Sequence, residues 1–313
     1  MTAETPDPRF SAADVCAVVV THHPDHDFPG RLQRVVPQVG STVIVDNGSS
    51  ADAVTMLLAA AASPTVTVLR QSENLGLAQA LNAGVRHAMT AGRRWVLLLD
   101  QDTHVDADMV DALLAVHASL GGADAERTAI IGSRFRDTHE RPAESLPLDA
   151  RGDLWQEVES AITSGTLLSL DAFAAIGPFR EEFFIDYVDT EYCLRARSAG
   201  YRVIETRRPL MSHTVGAPSR HRWLWSKKWT TNHSAERRYY IARNNTVLLR
   251  EYRTSANGSW RWKSVVRSFR LCKRILLFER DKLAKIVAVL QGWWDGMRGN
   301  LGPRGRIVRG RRR

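Results

Sequence analysis

The chain has 313 residues, 44% of them hydrophobic and 25% charged, which suits one large α/β domain with an appendage and excludes a disordered or collagen-like protein. Its net charge of +9 hides a division, because residues 1–199 hold 15 Lys+Arg against 28 Asp+Glu whereas residues 200–313 hold 28 against 6. The acidic front half argues against a nucleic-acid protein built around its main domain, and the basic rear half suits a polyanion such as lipid headgroups. Residues 1–13 are polar and expected to be disordered. Val15 to Val20 then reads as a buried strand, Thr42 to Val45 as a second, Val66 to Leu69 as a third and Trp95 to Leu99 as a fourth. Helical patterns at Leu32 to Val39, Ala53 to Ala62 and Ala78 to Thr90 lie between them, so this stretch predicts βαβαβαβ and a mostly parallel sheet. Residues 136–153 are charged, contain prolines and lack periodicity, which predicts a surface loop. Tyr192 to Ala199 reads as a helix that ends at Gly200.

Parallel α/β sheets bind ligands beyond the carboxyl ends of their strands. Each predicted strand here is followed by polar residues: Thr21-His22-His23-Pro24-Asp25, Asp46-Asn47-Gly48-Ser49, Glu73-Asn74-Leu75-Gly76 and Asp100-Gln101-Asp102. A later block, Phe183-Phe184-Ile185-Asp186-Tyr187-Val188-Asp189-Thr190-Glu191, is acidic for a segment so apolar. Asp100 and Asp102, two residues apart after a strand, can direct both carboxylates at one hard divalent cation and leave positions open for phosphate oxygens. Taken alone, such a pair reads first as two solvated loop or helix-cap acids, and Asp46-Asn47-Gly48 as a tight turn. His22, His23 and His26 with Asp25 and Asp27 have the residue types of a metal site without a known ligand spacing.

As an ordered set, VVVTHH, IVDNGSS, NLGLAQALNAG, LLLDQDT and FFIDYVDTEYCLRARSAGY resemble the inverting family 2 glycosyltransferases with the GT-A fold, over roughly residues 14–215. Within that family, VTHHPD, FFIDYVDTEYCLR, the His213-Thr214-Val215-Gly216 group and RRYYIARNNTVLLR are most similar to bacterial rhamnosyltransferases. The resemblance implies a nucleotide-sugar donor, dTDP-rhamnose or alternatively a UDP-sugar of galactose, galactofuranose or N-acetylglucosamine, with Mg²⁺ or Mn²⁺. It implies that Asp46 accepts a hydrogen bond from the base imide, that Thr21 and His22 flank the base, and that Asn74 and Gly76 form a turn close to the nucleotide. Asp100, Gln101 and Asp102 match the diphosphate and metal motif, with His213 a further metal ligand. Asp189 matches the general base that deprotonates the acceptor hydroxyl. Asp186 and Glu191 are positioning or acceptor-holding residues, and Ser164 and Gly165 shape the acceptor pocket. Members of the family more often carry Tyr-Asn where this chain has His22-His23.

The expected organisation is a GT-A domain over 14–250, an amphipathic basic helical extension over 251–300 and a basic disordered tail over 301–313. In the extension, Val265, Phe269, Cys272, Leu276, Leu283, Val287, Leu290 and Trp294 recur at helical spacing among lysines and arginines. Such a stripe either covers the catalytic domain or lies on the inner face of the plasma membrane, where the enzyme would meet a glycan or lipid-linked acceptor. No apolar run approaches the ~18 residues of a bilayer span, and the polar N-terminus lacks a signal pattern, so a cytoplasmic, peripherally attached protein is expected. No specific nucleic-acid partner is expected. Cys16, Cys193 and Cys272 lack metal or disulfide spacing and are read as reduced. A nucleotidyltransferase is disfavoured because no Gly-rich basic phosphate loop follows the first strand, and a non-catalytic binding protein because the whole acidic set is retained.

Overall fold

A computed structural model describes residues 10–137, 154–213, 219–223, 226–230, 232–252, 258–305 and 308–309. The expected alternation is present: β1 (Val15–Thr21), α1 (Phe28–Val35), β2 (Ser41–Asn47), α2 (Ala51–Ala60), β3 (Val66–Gln71), α3 (Leu77–Thr90) and β4 (Trp95–Asp100). There follow β5 (His104–Val105), α4 (Met109–Ala118), α5 (Gly122–Glu126), β6 (Thr128–Asp137), β7 (Trp155–Glu157), β8 (Thr166–Ser169), α6 (Leu170–Ile176), α7 (Val188–Ser198) and β9 (Arg202–His213). A hairpin, β10 (Ser219–Trp223) and β11 (Ser226–Thr230), leads into α8 (Ala235–Glu251), α9 (Gly258–Phe278) and α10 (Lys282–Arg298), and then β12 (Asn300–Leu301) pairs with β13 (Val308–Arg309).

The main sheet runs β3-β2-β1-β4-β8-β6-β9-β5, with β7 on β9. Its first four strands are parallel, as the crossover helices require. β8 joins β4 and β6 antiparallel and so couples the nucleotide-type half to a second half built on β6 and β9. All seven β1 residues are buried, the pattern of a strand covered on both faces. Cys16, Val18 and Val20 pack toward α3, and Val15, Ala17 and Val19 toward α1 and α4. The register sets Thr21 beside Asp46 and Val20 beside Asp100, so the polar strand ends share one edge of the sheet.

Several expectations change. Residues 1–9 and 138–153 lie outside the described residues, but Phe10 is placed, its ring edge-on to Trp95 at 5.8 Å, and β6 runs to Asp137. The helix expected from Tyr192 starts four residues earlier, so Asp189 and Glu191 occupy its first turn. The boundary at residue 250 falls inside a packed unit, because α8 and α10 lie against one another: a Cβ on Gly292 would stand 2.3 Å from the Tyr239 carbonyl oxygen and one on Gly296 2.6 Å from that of Arg243. Only glycine permits this backbone approach. The apolar stripe is divided between α9 and α10 and faces outward, while α10 buries Lys285, Ala288, Gly292 and Gly296 instead. The start of the tail is seated on the domain rather than disordered, since Leu301 is buried, the Gly302 amide donates to the Glu182 carbonyl at 2.8 Å and the Arg304 amide to the Tyr240 hydroxyl at 2.8 Å. Among the described residues no helix is long and apolar enough to cross a membrane, and all three cysteines are free.

Candidate active site

The ends of β1, β2, β3 and β4 are laced together by side chains. The His22 amide donates to Gln101 Oε1 at 2.7 Å, and Gln101 Nε2 returns a bond to the His22 carbonyl at 3.2 Å. His22 Nδ1 lies 3.0 Å from the Asn47 carbonyl, and Asn74 Nδ2 lies 3.4 Å from His22 Nε2. Asn47 donates to Asn74 Oδ1 at 3.1 Å and accepts from the Leu75 amide at 2.9 Å. The sequence reading treated Asn47 as part of a turn, yet it fastens two loops. Buried Arg31, from α1, donates to the Gln101 carbonyl at 2.8 Å and pairs with Asp25. The histidine-rich segment thus braces the loop ends, and among the described residues no group of three His, Cys, Asp or Glu forms a metal cage.

These loops open into a cavity of about 1380 Å³, lined at this end by His22, Asn47, Asn74, Gly76, Asp100, Gln101 and Asp102. Asp46 and Thr21 do not line it. Asp46 is 1% exposed, accepts from the Ser49 amide through Oδ2, and keeps Oδ1 without a hydrogen-bond partner among the described residues, as does the Thr21 hydroxyl. A buried carboxylate oxygen with no donor is costly until one arrives. Asp100 and Asp102 face the cavity from the end of β4 and the turn after it. The Asp100 amide donates to Ser164 Oγ at 3.1 Å, and Ser164 Oγ lies 2.6 Å from the Thr103 hydroxyl, so Ser164 also secures this acidic turn.

Gly76 and Gly165 take their need for glycine from packing. Gly76 has φ of 92°, and a Cβ there would stand 2.6 Å from the Phe184 ring; Gly165 has φ of 78°, and a Cβ there would meet Met211 Sδ at 2.4 Å. Packing alone thus requires glycine at both positions; Gly76 also lines the cavity, whereas Gly165 does not.

The opposite wall carries Asp186, Tyr187 and Asp189. Asp189 Oδ1 accepts from the Thr190 amide at 2.6 Å and its hydroxyl at 3.3 Å. Burial raises the Asp189 carboxyl above the ordinary carboxylate range, the Asp186 charge adding to the effect and the Thr190 amide opposing it. Asp186 is clasped by Arg237, whose Nε and Nη2 lie 3.1–3.2 Å from its oxygens, although burial still raises its carboxyl. Glu191 departs from expectation as an acceptor-holding residue. It is 2% exposed, away from the cavity, with its oxygens taken by Arg195 at 2.9 and 3.0 Å and by the Tyr252 hydroxyl at 3.2 Å. His213 ends β9, and its side chain lies outside the described residues.

The 183–189 loop is held in an uncommon shape. Phe184, Asp186 and Tyr187 have φ of 65°, 62° and 63°, at a cost on the order of 1–3 kcal/mol each. Asn244, buried on α8, donates to the carbonyls of Phe183, Ile185 and Asp186 at 3.0, 2.9 and 2.8 Å. Neighbouring Arg243, also buried, donates to the carbonyls of Glu182 and Phe183 at 3.1 and 3.0 Å. The sequence signal was an Arg-Asn-Asn run inside a helical pattern, polar groups that a buried helix face tolerates only when paired.

Residues 32–175, from α1 to α6, match the family model described as Glycosyl transferase family 2. The chain is 28% identical over 305 residues to the dTDP-rhamnosyl transferase RfbF of Shigella flexneri, covering 93% of this chain and 97% of that protein. Among solved structures it is similar to S. aureus TarS 1-349 in complex with UDP-GlcNAc, with TM-score 0.58 and 14% identity over 89% of this chain and 81% of that one. It is likewise similar to the mannosyltransferase PcManGT from Pyrobaculum calidifontis in complex with GDP-Man and Mn²⁺, with TM-score 0.57 and 14% identity over 94% and 89%. These likenesses agree with the sheet order and with the loops gathered at its carboxyl edge: the chain is a glycosyltransferase with the GT-A fold that carries a glycosyl transferase family 2 domain over residues 32–175.

Proposed function

We propose that this enzyme transfers L-rhamnose from dTDP-rhamnose to a hydroxyl of a cell-envelope glycan or lipid-linked acceptor, by a single displacement that inverts the anomeric centre. The observation that carries it is one cavity with Asp100 and Asp102 at the sheet edge and Asp189 on the wall across from them. The likeness to a dTDP-rhamnosyl transferase along nearly the whole of both chains supports the donor. His22 would flank the base with Asn74 and Gly76 in the turn below, while Asp46 and Thr21, expected to touch the base, are buried behind the cavity wall. The two aspartates fit Mg²⁺ or Mn²⁺, being hard oxygen donors too few to close a shell, with His213 an additional ligand. Such an ion, when bound, neutralises charge building on the leaving diphosphate. Asp189 accepts the acceptor hydroxyl's proton, Thr190 orienting the carboxylate by holding Oδ1. Ser164 keeps the Asp100 turn in place, and Asp186 sets Arg237 at the acceptor side.

Attachment to the cytoplasmic face of the plasma membrane fits the outward apolar residues of α9 and α10, among them Phe269 at 74% and Leu283 at 79% exposure, set among lysines and arginines.

Calorimetric titration with dTDP- and UDP-sugars, each with and without Mg²⁺ or Mn²⁺, tests the donor. Metal-dependent preference for dTDP-rhamnose is expected, weakened in Asp102→Asn. Preference for a UDP-sugar would keep the class and discard the donor, and binding of none would discard both.

A further inference from the structure

The cavity, at about 1380 Å³, exceeds the roughly 300–1,000 Å³ typical of a site for one small ligand. Its charge is divided. Asp100, Asp102, Asp186 and Asp189 lie on the sheet edge and the 183–189 loop, whereas α9 contributes Lys263, Arg267, Arg270 and Arg274. Lys263 is answered by Glu159 at 3.0 Å, but among the described residues no carboxylate pairs with Arg267, Arg270 or Arg274. The spacings of three and four residues put these guanidinium groups on one helix face, over about 10 Å at 1.5 Å per residue. Three like charges so close on a concave wall repel one another until an anion neutralises them, and the guanidinium fork matches phosphate oxygens in pairs.

The position of α9 says which substrate brings that anion. Ser264 and Arg267 stand beside Tyr187, two residues before Asp189, with Arg267 and Tyr187 both lining the cavity, while Ser264 and Ser268 fasten the helix to Asn245 of α8. In a single displacement the acceptor approaches from the side of the base, opposite the leaving diphosphate. The arginine wall therefore stands where the acceptor enters, and Asp100 and Asp102 stand where the donor diphosphate leaves.

We infer that Arg267, Arg270 and Arg274 form an anion subsite that binds a phosphate or diphosphate group on the acceptor, so that the acceptor is a phosphate-bearing glycan carrier and not a neutral saccharide. This rests on the transferase reading above.

Equilibrium dialysis of inorganic pyrophosphate against the full-length enzyme saturated with Mg²⁺ and dTDP tests it, because the donor diphosphate position is then filled. The wild-type protein is expected to bind one pyrophosphate, and Arg270→Gln/Arg274→Gln to weaken it by about tenfold or more with dTDP affinity unchanged. Lys273→Gln/Lys282→Gln, which removes two exposed charges outside the cavity, should leave it intact. Absence of saturable pyrophosphate binding to enzyme that does bind dTDP would overturn the subsite. So would equal weakening in the lysine variant, which reports bulk charge, or weakened dTDP binding in the arginine variant, which assigns the wall to the donor. If the arginine variant instead lost only its binding to phosphatidylglycerol vesicles, the anion would be a bilayer headgroup. A wild-type enzyme that binds neither dTDP nor UDP would end the transferase reading itself.

Discussion

Asp189 occupies the first turn of α7, with one carboxylate oxygen held by Thr190 and its charge disfavoured by burial. A base must be ionised to act, so turnover should fall as pH drops through its raised pKa. The acid limb of kcat is then expected above the usual carboxylate range, and Asp186→Asn should shift it to lower pH by removing a neighbouring negative charge. Asp189→Asn should retain donor and metal affinity while losing about 10²–10⁴-fold in kcat; near wild-type turnover would remove Asp189 from the role. Asn244 acts through that loop. Asn244→Ala takes the side-chain donor from the Ile185 and Asp186 carbonyls, leaving that of Phe183 to Arg243, and lets Asp186 and Tyr187 relax from left-handed backbone, so kcat should drop by roughly 10–100-fold with donor KM little changed. Asn244→Asp, which cannot donate, should do no better. Asn244→Gln, which can, should recover part of the rate.

At the scale of elements, α8 joins the site to the rear of the molecule. One face carries Arg237 to Asp186 and Asn244 to the 183–186 carbonyls, and another accepts α10 at glycine distance. The turn between α9 and α10 is locked by Glu279, which pairs with Arg238 and, at 3.0 Å, with Lys285; all three are buried, and Lys285 also reaches Asn232 at 2.7 Å. Removing the carboxylate charge takes a buried counter-charge from both Arg238 and Lys285, so Glu279→Gln should destabilise the fold by about 3–5 kcal/mol, read as a lowered midpoint in urea denaturation. Replacing Arg238, Glu279 and Lys285 together by apolar residues should recover much of that loss, since the desolvation cost of all three buried charges disappears with them.

For the whole molecule, the helical rear is part of the catalytic body, because α9 supplies one wall of the cavity. Deleting it would test folding and membrane attachment at once. Surface substitution separates them: Leu283→Ser/Leu290→Ser/Trp294→Ser alters only residues half or more exposed. This variant should retain its melting temperature yet lose most flotation with anionic liposomes. Unchanged flotation would leave the apolar ridge without a membrane role. Higher salt should weaken wild-type flotation, because part of the attraction is screened charge.

The alternation of strands and helices in the first hundred residues, the acidic loop ends and the family were legible in the sequence. Period-two and period-3.6 apolar patterns and short polar clusters are local properties that need no partner to be read. Glu191 and Gly165 were misread, and Asn47, Arg243 and Asn244 were missed, for one reason. Whether a polar side chain faces a cavity, bonds a distant carbonyl or holds a neighbouring loop depends on groups 28 to 61 positions away in the chain. The same holds for the rear helices, whose apolar stripe left open whether it covers the domain or faces outward: the glycines of α10 admit α8 so closely that the small residues turn inward and the large ones outward. Composition and periodicity by themselves determined the class of fold, and the ordered motifs, through their resemblance to a family, supplied the chemistry expected at its edge. Only the tertiary packing decided which residues meet in one cavity, because burial and hydrogen-bond partnership are fixed by the folded chain as a whole.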